Sequence, residues 1–376
     1  MKNSILKFLI FFTIATFLWT CKVPYYPPVN AKQTNFLVVE GYITAITPTV
    51  IKLTHTRVVS QYDTARALPE TGANLVVEDD HGDRYPLTES GAGIYTMGIV
   101  SLDSTYKYSL YISTSSGKEY QSDYVPFESS PPIIGIDQAL KQGDLQIYVN
   151  TQNQDSHSRY YRWAYQETWE YHTPYFSGFE YFPATDSLKV RIQPVHICWV
   201  TEKSSTVVIG SSVGLQDNII HSPLAYFPDH DRRLSVLYSV LITQYVLDSA
   251  AYKFWQAMKG NSEDLGFIFS TQPNQTRGNV HNISDSSETV IGYVGAGNTT
   301  QYRGFIYNNS LPASWNQPTK CVTIFVPEDS FAFYFGAGLV PLYHDFQHGK
   351  KGYDGSFEEC ADCTFLGTTT KPSFWP

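Results

Sequence analysis

One short stretch of the sequence has the form of a serine nucleophile motif. "GSSVG" at 210–214 fits G-x-S-x-G, in which a sharp turn between a strand and a helix exposes the serine hydroxyl. The residues that follow, "LQDNIIHSP", make a poor helix because they are short and reach Pro223. We therefore predict no catalytic residue, and an envelope hydrolase that uses Ser212 stands as an alternative.

A second stretch has the spacing of a metal site. "HDFQH" places His344 and His348 four positions apart, which on a helix would put two zinc ligands on one face. It lacks the glutamate that zinc proteases carry beside the first histidine. Pro341 before it and the glycines after it favour a loop. We expect no metal ion and no cofactor.

Cys21 stands at the end of an apolar stretch. The twelve residues "FLIFFTIATFLW" follow two lysines and are too few to cross a bilayer, which takes about 20 residues. They are typical of a secretory signal peptide. The residues "LWTC" at 18–21, with a leucine three positions before Cys21, resemble a bacterial lipobox. We expect residues 1–20 to be a signal peptide, Cys21 to be lipidated and 21–34 to form a Pro-rich tether. The alternative is an ordinary signal peptide with a chance cysteine near its end.

Four further cysteines are candidates for disulfides: Cys198, Cys321, Cys360 and Cys363. An even number in an exported chain favours two bonds. "CADC" has the spacing of a zinc or redox site, but a zinc ribbon needs a second such pair. We favour bonds from the two tail cysteines back to Cys198 and Cys321, because closing long loops restricts the unfolded chain most. A bond between Cys360 and Cys363 is the competing arrangement.

Aromatic residues are densest in "YYRWAYQETWEYHTPYFSGFEYFP" at 160–183. From Tyr161 to Tyr171 they fall on odd positions, so as a strand they share one face, which is normally buried. The loop after them is the better binding candidate, because exposed aromatic loops commonly carry recognition. Its predicted binding residues are Tyr175, Phe176, Phe179 and Tyr181.

The distribution of strand-like runs predicts two parts. Residues 35–128 contain short runs with turn signals roughly every eight to twelve residues, which is typical of an immunoglobulin-like or transthyretin-like β-sandwich. "SSPPII" at 129–134 breaks the pattern, since two adjacent prolines cannot both join a central sheet. Residues 132–376 are predicted to form a larger β-rich domain.

One prominent helix is predicted near 249–259. In "LDSAAYKFWQAMKGN" Asp248 is suited to the N-cap, and Gly260 to the stop. Tyr252 and Trp255 follow helical spacing between them.

Composition narrows the function classes. The chain has a net charge of −9 and no basic run, which excludes an electrostatic footprint for nucleic acid and a polybasic patch for anionic lipid. Aromatic residues reach 15% against 16% charged residues, a bias that favours strands. We predict a mainly β fold.

Several stretches occur in an order that resembles one family. They are "FLVVEGYIT", "GANLVVEDDHG" with "GIYT", "YYRWAYQE", "CW", "QPNQTRGNVHN" with "VIGYVGAG", and "CADCTFLGTTTKPSFW". Together they resemble the lipoprotein family catalogued as domain of unknown function 4249, found in Bacteroidetes. The resemblance implies an exported lipoprotein, often encoded beside a TonB-dependent outer-membrane receptor, with no established activity and no catalytic residues.

We therefore expect a lipid-anchored outer-membrane protein that acts as a non-catalytic binding or accessory component. Its expected partner is a TonB-dependent receptor engaged in nutrient uptake. The periplasmic face and the cell surface both stay open, because "KVPYY" lacks the acidic residues that surface-exposed lipoproteins often carry after the acylated cysteine. A hydrolase and a purely structural envelope lipoprotein are the alternatives.

Overall fold

A computed structural model defines the fold. It describes residues 35–57, 67–153, 158–215, 219–263, 277–312, 315 and 320–376. The expected signal peptide, Cys21 and the tether lie outside the described residues. Within these ranges most elements are strands, which confirms the mainly β prediction. None of the helices described is both long enough and apolar enough to cross a membrane.

The first region of the chain consists of short strands. They are β1 (Leu37–Ile43), β2 (Thr49–His55), β3 (Leu68–Pro69), β4 (Asn74–Asp79), β5 (Arg84–Gly91), β6 (Ile94–Met97), β7 (Lys107–Ser113), β8 (Glu119–Ser122) and β9 (Val125–Ser129).

Longer strands and one long helix follow. The strands are β10 (Ile133–Lys141), β11 (Asp144–Gln152), β12 (Tyr160–His172), β13 (Phe179–Phe182), β14 (Ser187–Val190), β15 (Ile197–Lys203), β16 (Val208–Ser211), β17 (Ile219–Phe227), β18 (Leu237–Leu247), β19 (Val280–Asn282), β20 (Gly295–Asn298), β21 (Thr300–Tyr307), β22 (Ile324–Pro327), β23 (Val340–Gln347) and β24 (Lys350–Ser356). The helices are α1 (Ser249–Glu263), α2 (Phe331–Tyr334) and α3 (Glu358–Ala361). Five described 3-10 turns are Pro183–Thr185, Arg232–Leu234, Asn308–Ser310, Glu328–Ser330 and Cys363–Phe365.

The first region forms a closed ring of strands. Around the ring the order is β7-β4-β5-β6-β2-β1-β20-β9, and β9 pairs again with β7. Strand β8 pairs with β7 beside the ring, β19 pairs with β8, and β3 pairs with β2. Hydrogen bonding thus joins the strands of the predicted sandwich into one sheet. Closure removes the free edges that an open sheet would expose.

A segment from later in the chain completes this ring. Residues 280–298, which the sequence assigned to the second part, supply β19 and β20 to the first sheet. Gly292 makes the close approach possible: its φ is 143°, and a Cβ there would lie 2.0 Å from the carbonyl oxygen of Val39. Only glycine fits such a position. The boundary at 129–134 therefore marks where the chain leaves the first region, but the chain returns to that region at 280–298.

The second region has two facing sheets. The three-stranded sheet β10-β11-β17 lies against β15-β12-β18-β21, and β16 also pairs with β12. Side chains from both sheets share one core, among them Ile147, Trp163 and Ile242. The predicted buried face of β12 is confirmed, since all five of its odd aromatic residues from Tyr161 to Tyr171 are buried.

A buried amide ties the boundary segment to this core. The Gln244 side chain accepts hydrogen bonds from Trp163 Nε1, at 2.8 Å, and from the Thr151 hydroxyl. Its Nε2 donates to Ser130 Oγ at 3.0 Å and to the carbonyl oxygen of Pro131 at 2.8 Å. Every polar group of this buried amide is satisfied, as burial requires.

Helix α1 begins where the sequence predicts and ends later. Asp248 Oδ1 accepts a hydrogen bond from the Ala251 backbone N–H at 2.7 Å, which confirms the N-cap. The predicted stop at Gly260 is wrong, because the helix continues to Glu263. A glycine inside a helix is unfavourable by only about 1 kcal/mol relative to alanine, so it weakens a helix without ending it.

The last part of the chain forms a further sheet, β22-β24-β23, which packs beside the β13–β14 hairpin. Its small core contains Val326, Phe331 and Phe335, and Tyr181 and Leu188 of the hairpin pack against it. We call this sheet, the hairpin with its flanking residues 173–196, and the segment from Cys321 to Cys363 the C-terminal module.

Candidate functional site

Two disulfides hold the C-terminal module. Cys198 on β15 is bonded to Cys363, and Cys321 is bonded to Cys360 at the end of α3. This is the arrangement that the sequence favoured over a bond between Cys360 and Cys363. The first bond fixes the module to the second region, and the second bond fixes the two ends of the module to each other.

Tyr175 bridges the two chain segments that the Cys321–Cys360 bond joins. Its backbone N–H donates to the carbonyl oxygen of Cys360 at 2.9 Å, and its hydroxyl donates to the carbonyl oxygen of Cys321 at 3.0 Å. The aromatic loop after β12 is therefore held directly against this disulfide.

The four predicted binding residues differ in exposure. Phe176 is 60% exposed and meets the ring of His196 edge-on at 6.2 Å. Tyr175, Phe179 and Tyr181 are half-buried and take part in packing the module. The Phe179 ring lies 4.9 Å from that of Tyr353, and the hydroxyl of Tyr181 donates to Asp186. Phe176 alone of the four is open to a partner across most of its surface.

Hydrogen bonds join segments of the module that carry other exposed apolar residues. The Arg191 N–H donates to the Gly178 carbonyl, and the Gly178 N–H donates to the Leu342 carbonyl, both at 2.9 Å. Ser356 Oγ donates to the Val322 carbonyl at 2.7 Å. Exposed large apolar side chains sit on or beside these bonded segments: Phe176, Ile192, Val322, Tyr343 and Phe357. We call these five residues the apolar surface.

Four of the five members of the apolar surface were not predicted from the sequence. Ile192 is 93% exposed and lies in "VRIQPV", and Val322 lies in "KCVTI". A single apolar residue in such a context predicts a strand interior equally well. A single exposed apolar residue is ordinary, whereas a cluster of them marks an interaction site. The clustering depends on contacts between segments far apart in sequence.

Polar residues flank the apolar surface. His172 Nε2 and Glu170 Oε1 lie 2.6 Å apart, and Trp375 Nε1 donates to Glu170 Oε2 at 2.8 Å. The ring of His196 lies 5.6 Å from that of His172, and its Nδ1 is 2.9 Å from the Thr173 hydroxyl. Burial, and then the neighbouring His172, lower the pKa of His196 below its usual value.

The surroundings of Ser212 do not suit a nucleophile. Its side chain is fully buried, and its Oγ has no hydrogen-bond partner among the described residues. The Leu215 N–H donates to the Ser212 carbonyl in a turn, and the next described element is strand β17. A serine nucleophile needs an exposed hydroxyl within reach of a base.

The histidine pair also lies in a different setting from the one expected. His344 is in strand β23, not in a loop, and its ring meets that of Tyr353 edge-on at 5.2 Å. His348, with a φ of 51°, lies in the turn between β23 and β24. In the part of the chain that the structure describes, no group of three or more His, Cys, Asp or Glu side chains could hold a metal ion.

A small cavity lies where the first two regions meet. It has a volume of about 30 Å³ and is lined in part by Tyr42, Arg162 and Asp248. The Arg162 guanidinium lies 4.5 Å from the Tyr245 ring and 4.2 Å from the Trp255 ring, and burial lowers its pKa. The space holds about one water molecule, so the feature suits a packed joint better than a ligand site.

The sequence profile of one family matches most of the chain. It is described as "Domain of unknown function (DUF4249)" and covers residues 22–303. Among curated proteins, none matches the chain.

Solved structures give loose matches. A two-domain fibronectin type-III segment from chicken tenascin is 15% identical, covers 57% of this chain and 92% of its own, and has a TM-score of 0.17. A DUF4785 family protein from Legionella pneumophila is 11% identical, with 55% and 52% covered and a TM-score of 0.20. The adhesin InvE of Yersinia pseudotuberculosis is 12% identical, with 57% of each chain covered and a TM-score of 0.17. These TM-scores are too low to assign the fold by similarity, so the fold is defined by the strand topology given above.

Proposed function

We propose that this chain, which belongs to the DUF4249 family, is a lipid-anchored, non-catalytic binding component of the bacterial outer membrane. In this proposal Cys21 carries the lipid, and the C-terminal module docks onto a TonB-dependent receptor as an accessory in nutrient uptake. The first two regions hold the module at a distance from the anchor.

The apolar surface is the observation that carries the proposal. Phe176 and Val322 are next to residues that the Cys321–Cys360 bond and Tyr175 fix. The other three lie next to residues that are hydrogen-bonded within the module. Exposed aromatic and aliphatic side chains on a rigid support suit protein recognition, because their burial stabilises a complex and little ordering entropy is lost on binding. Half-buried polar neighbours such as His172 would form the rim around such a contact.

Two alternatives have less support. Hydrolysis by Ser212 would need its buried hydroxyl to become exposed and to gain a base. A purely structural envelope lipoprotein would have no use for an exposed apolar surface on a module that two disulfides fix in place.

Co-purification from envelopes tests the proposed docking. The full-length tagged protein is recovered from detergent-solubilised membranes, as wild type and with Phe176→Ser and Ile192→Ser combined. The matched control is Ile99→Ser, which changes a side chain that is 66% exposed in the first region. We expect a TonB-dependent receptor to be recovered with wild type and control and lost with the double variant. Failure to recover any such receptor with wild type contradicts the proposal.

The anchor is tested separately by mass spectrometry of the purified protein. We expect the mature chain to begin at Cys21 and to carry fatty acyl groups, which hold a protein to the bilayer stably when there are two or more. A mature chain without residue 21, or with an unmodified thiol there, removes the membrane attachment. Docking by the apolar surface would still be tested by the co-purification.

A further inference from the structure

Strand β10 has one unpaired edge. It forms the end of the three-stranded sheet β10-β11-β17, and no strand within the described ranges pairs with its other side. Beside this edge runs a groove of about 690 Å³, lined by four consecutive residues of β10, 136–139, by three of β21, 305–307, and by Tyr148, His221 and Ser310. Consecutive strand residues point to opposite faces. A groove that touches four in a row follows the backbone edge of β10, and Tyr148 and His221 extend it onto the solvent face of the sheet.

An unpaired edge offers backbone N–H and C=O groups to another strand. The first part of β10 is irregular, because its register with β11 shifts between Ile133 and Gly135. Such an irregularity hinders pairing with a further strand. The stretch from Asp137 to Lys141 pairs regularly with β11 and has no such irregularity. This regular stretch is the part of the edge that a further strand can join.

The charges on this stretch are complementary to themselves. Asp137, Ala139 and Lys141 lie on the solvent face, since they pair with Tyr148, Gln146 and Asp144, which face away from the core. In an antiparallel pair centred on Ala139, Asp137 stands opposite the partner's Lys141, and Lys141 stands opposite the partner's Asp137. Opposite charges directly across a ladder are stabilising.

The other face of the stretch also suits a second copy. Leu140 is exposed, although it points to the side of the sheet on which the core lies. In the same register it stands opposite the partner's Gln138, and the partner's Leu140 enters the groove beside β21. An apolar side chain at the edge would be covered in each copy.

We propose that two copies of this chain associate through β10, which pairs antiparallel with its symmetry mate about Ala139 and joins two three-stranded sheets into one of six. A two-fold contact of this kind is closed and does not propagate. One strand pair is a small interface, so the association is weak in dilute solution and is favoured when both copies are held on one membrane. The proposal does not depend on docking by the apolar surface.

The contacts that Asp137 and Lys141 make within one copy leave both side chains able to reach a partner. Asp137 Oδ2 accepts a hydrogen bond from Asn150 at 2.8 Å, and His221 Nδ1 lies 3.7 Å from it. The Lys141 ammonium lies 5.5 Å from the Tyr148 ring. Both side chains of the proposed pair are exposed in the single copy and can turn toward a partner.

A cysteine at the two-fold position tests the proposal in the full-length protein within the envelope. In Ala139→Cys the two new thiols would face each other at the Cα separation of directly opposed residues, which a disulfide can bridge. We expect a covalent dimer on non-reducing gels that disappears on reduction. Gln146→Cys is the matched control, because it places a thiol on the same face one strand further in.

Charge exchange distinguishes specific pairing from chance collision. In the Ala139→Cys background, Asp137→Lys or Lys141→Asp alone should lower the dimer yield about tenfold, since like charges then stand opposite at two symmetry-related pairs. The combined Asp137→Lys and Lys141→Asp variant should restore the yield, which shows that the fold tolerates both substitutions together. Equal yields from Gln146→Cys, insensitivity to the charges, or crosslinking only to a different protein would overturn the second-copy assignment.

Discussion

Removal of the Cys321–Cys360 disulfide should loosen the C-terminal module and with it the apolar surface. The perturbation is the double substitution Cys321→Ser and Cys360→Ser. The two cysteines are 39 residues apart, and Tyr175 is hydrogen-bonded to the backbone of both. Without the bond, the pairing of β22 with β24, the two Tyr175 hydrogen bonds and the small core around Phe331 hold these segments together.

The size of the effect follows from the loop that the bond closes. For a separation of 39 residues, the loss of loop-closure entropy in the unfolded chain corresponds to about 4 kcal/mol of stability. The Cys198–Cys363 bond closes a loop of 165 residues, for which the same relation gives about 5 kcal/mol. The two bonds thus contribute similar amounts of stability. They should differ in the part of the structure that each one holds in place.

Urea unfolding followed by tryptophan fluorescence measures the loss, and amide hydrogen exchange locates it. We expect Cys321→Ser with Cys360→Ser to lower the free energy of unfolding by about 4 kcal/mol. Exchange should rise in β22 to β24 and in residues 173–196, while β1 to β9 stay protected. The matched variant Cys198→Ser with Cys363→Ser should also raise exchange in β15. If the free energy of unfolding falls by less than about 1 kcal/mol and exchange in the module is unchanged, the Cys321–Cys360 bond does not hold the module together.

Three further predictions concern the second region and the flank of the apolar surface. Gln244→Leu should lower the free energy of unfolding by about 1–3 kcal/mol, because it leaves the Trp163 N–H buried without an acceptor; urea titration against the exposed Gln301→Leu checks this. Glu167→Ala should be destabilising by about 1–3 kcal/mol in the same titration, since the buried Tyr238 hydroxyl loses its acceptor while Arg233 keeps its bonds to Asp231. The lowered pKa of His196 means that the folded protein resists its protonation, so stability should fall as pH drops below about 6.5. Melting temperatures across this range should show a weaker fall in His196→Gln, and an identical pH profile would contradict the assignment.

Local sequence patterns predicted the elements whose evidence is itself local. The alternation from Tyr161 to Tyr171 predicted a strand with one buried face, and Asp248 predicted the start of the helix, because both depend on neighbours within a few residues. The cysteine pairing was favoured on loop length alone, which is a property of the chain and not of the fold.

Local sequence patterns do not predict which distant strands pair with each other. The return of residues 280–298 to the first sheet depends on β19 meeting β8 and β20 meeting β1, and each strand is far along the chain from its partner. Nothing in "VHN" or "GAGN" specifies those partners. The apolar surface escaped prediction for the same reason, since hydrogen bonds between distant segments place Ile192 beside the Gly178 loop and Val322 beside Ser356.

Site-specific photo-crosslinking in living cells tests whether the apolar surface docks onto a receptor. A benzophenone side chain replaces Phe176 on the apolar surface and, in a separate strain, replaces Ile99, which is similarly exposed in the first region. We predict that irradiation links position 176, and not position 99, to a TonB-dependent outer-membrane receptor. Absence of that product at 176, or equal products at both positions, would contradict docking by the apolar surface.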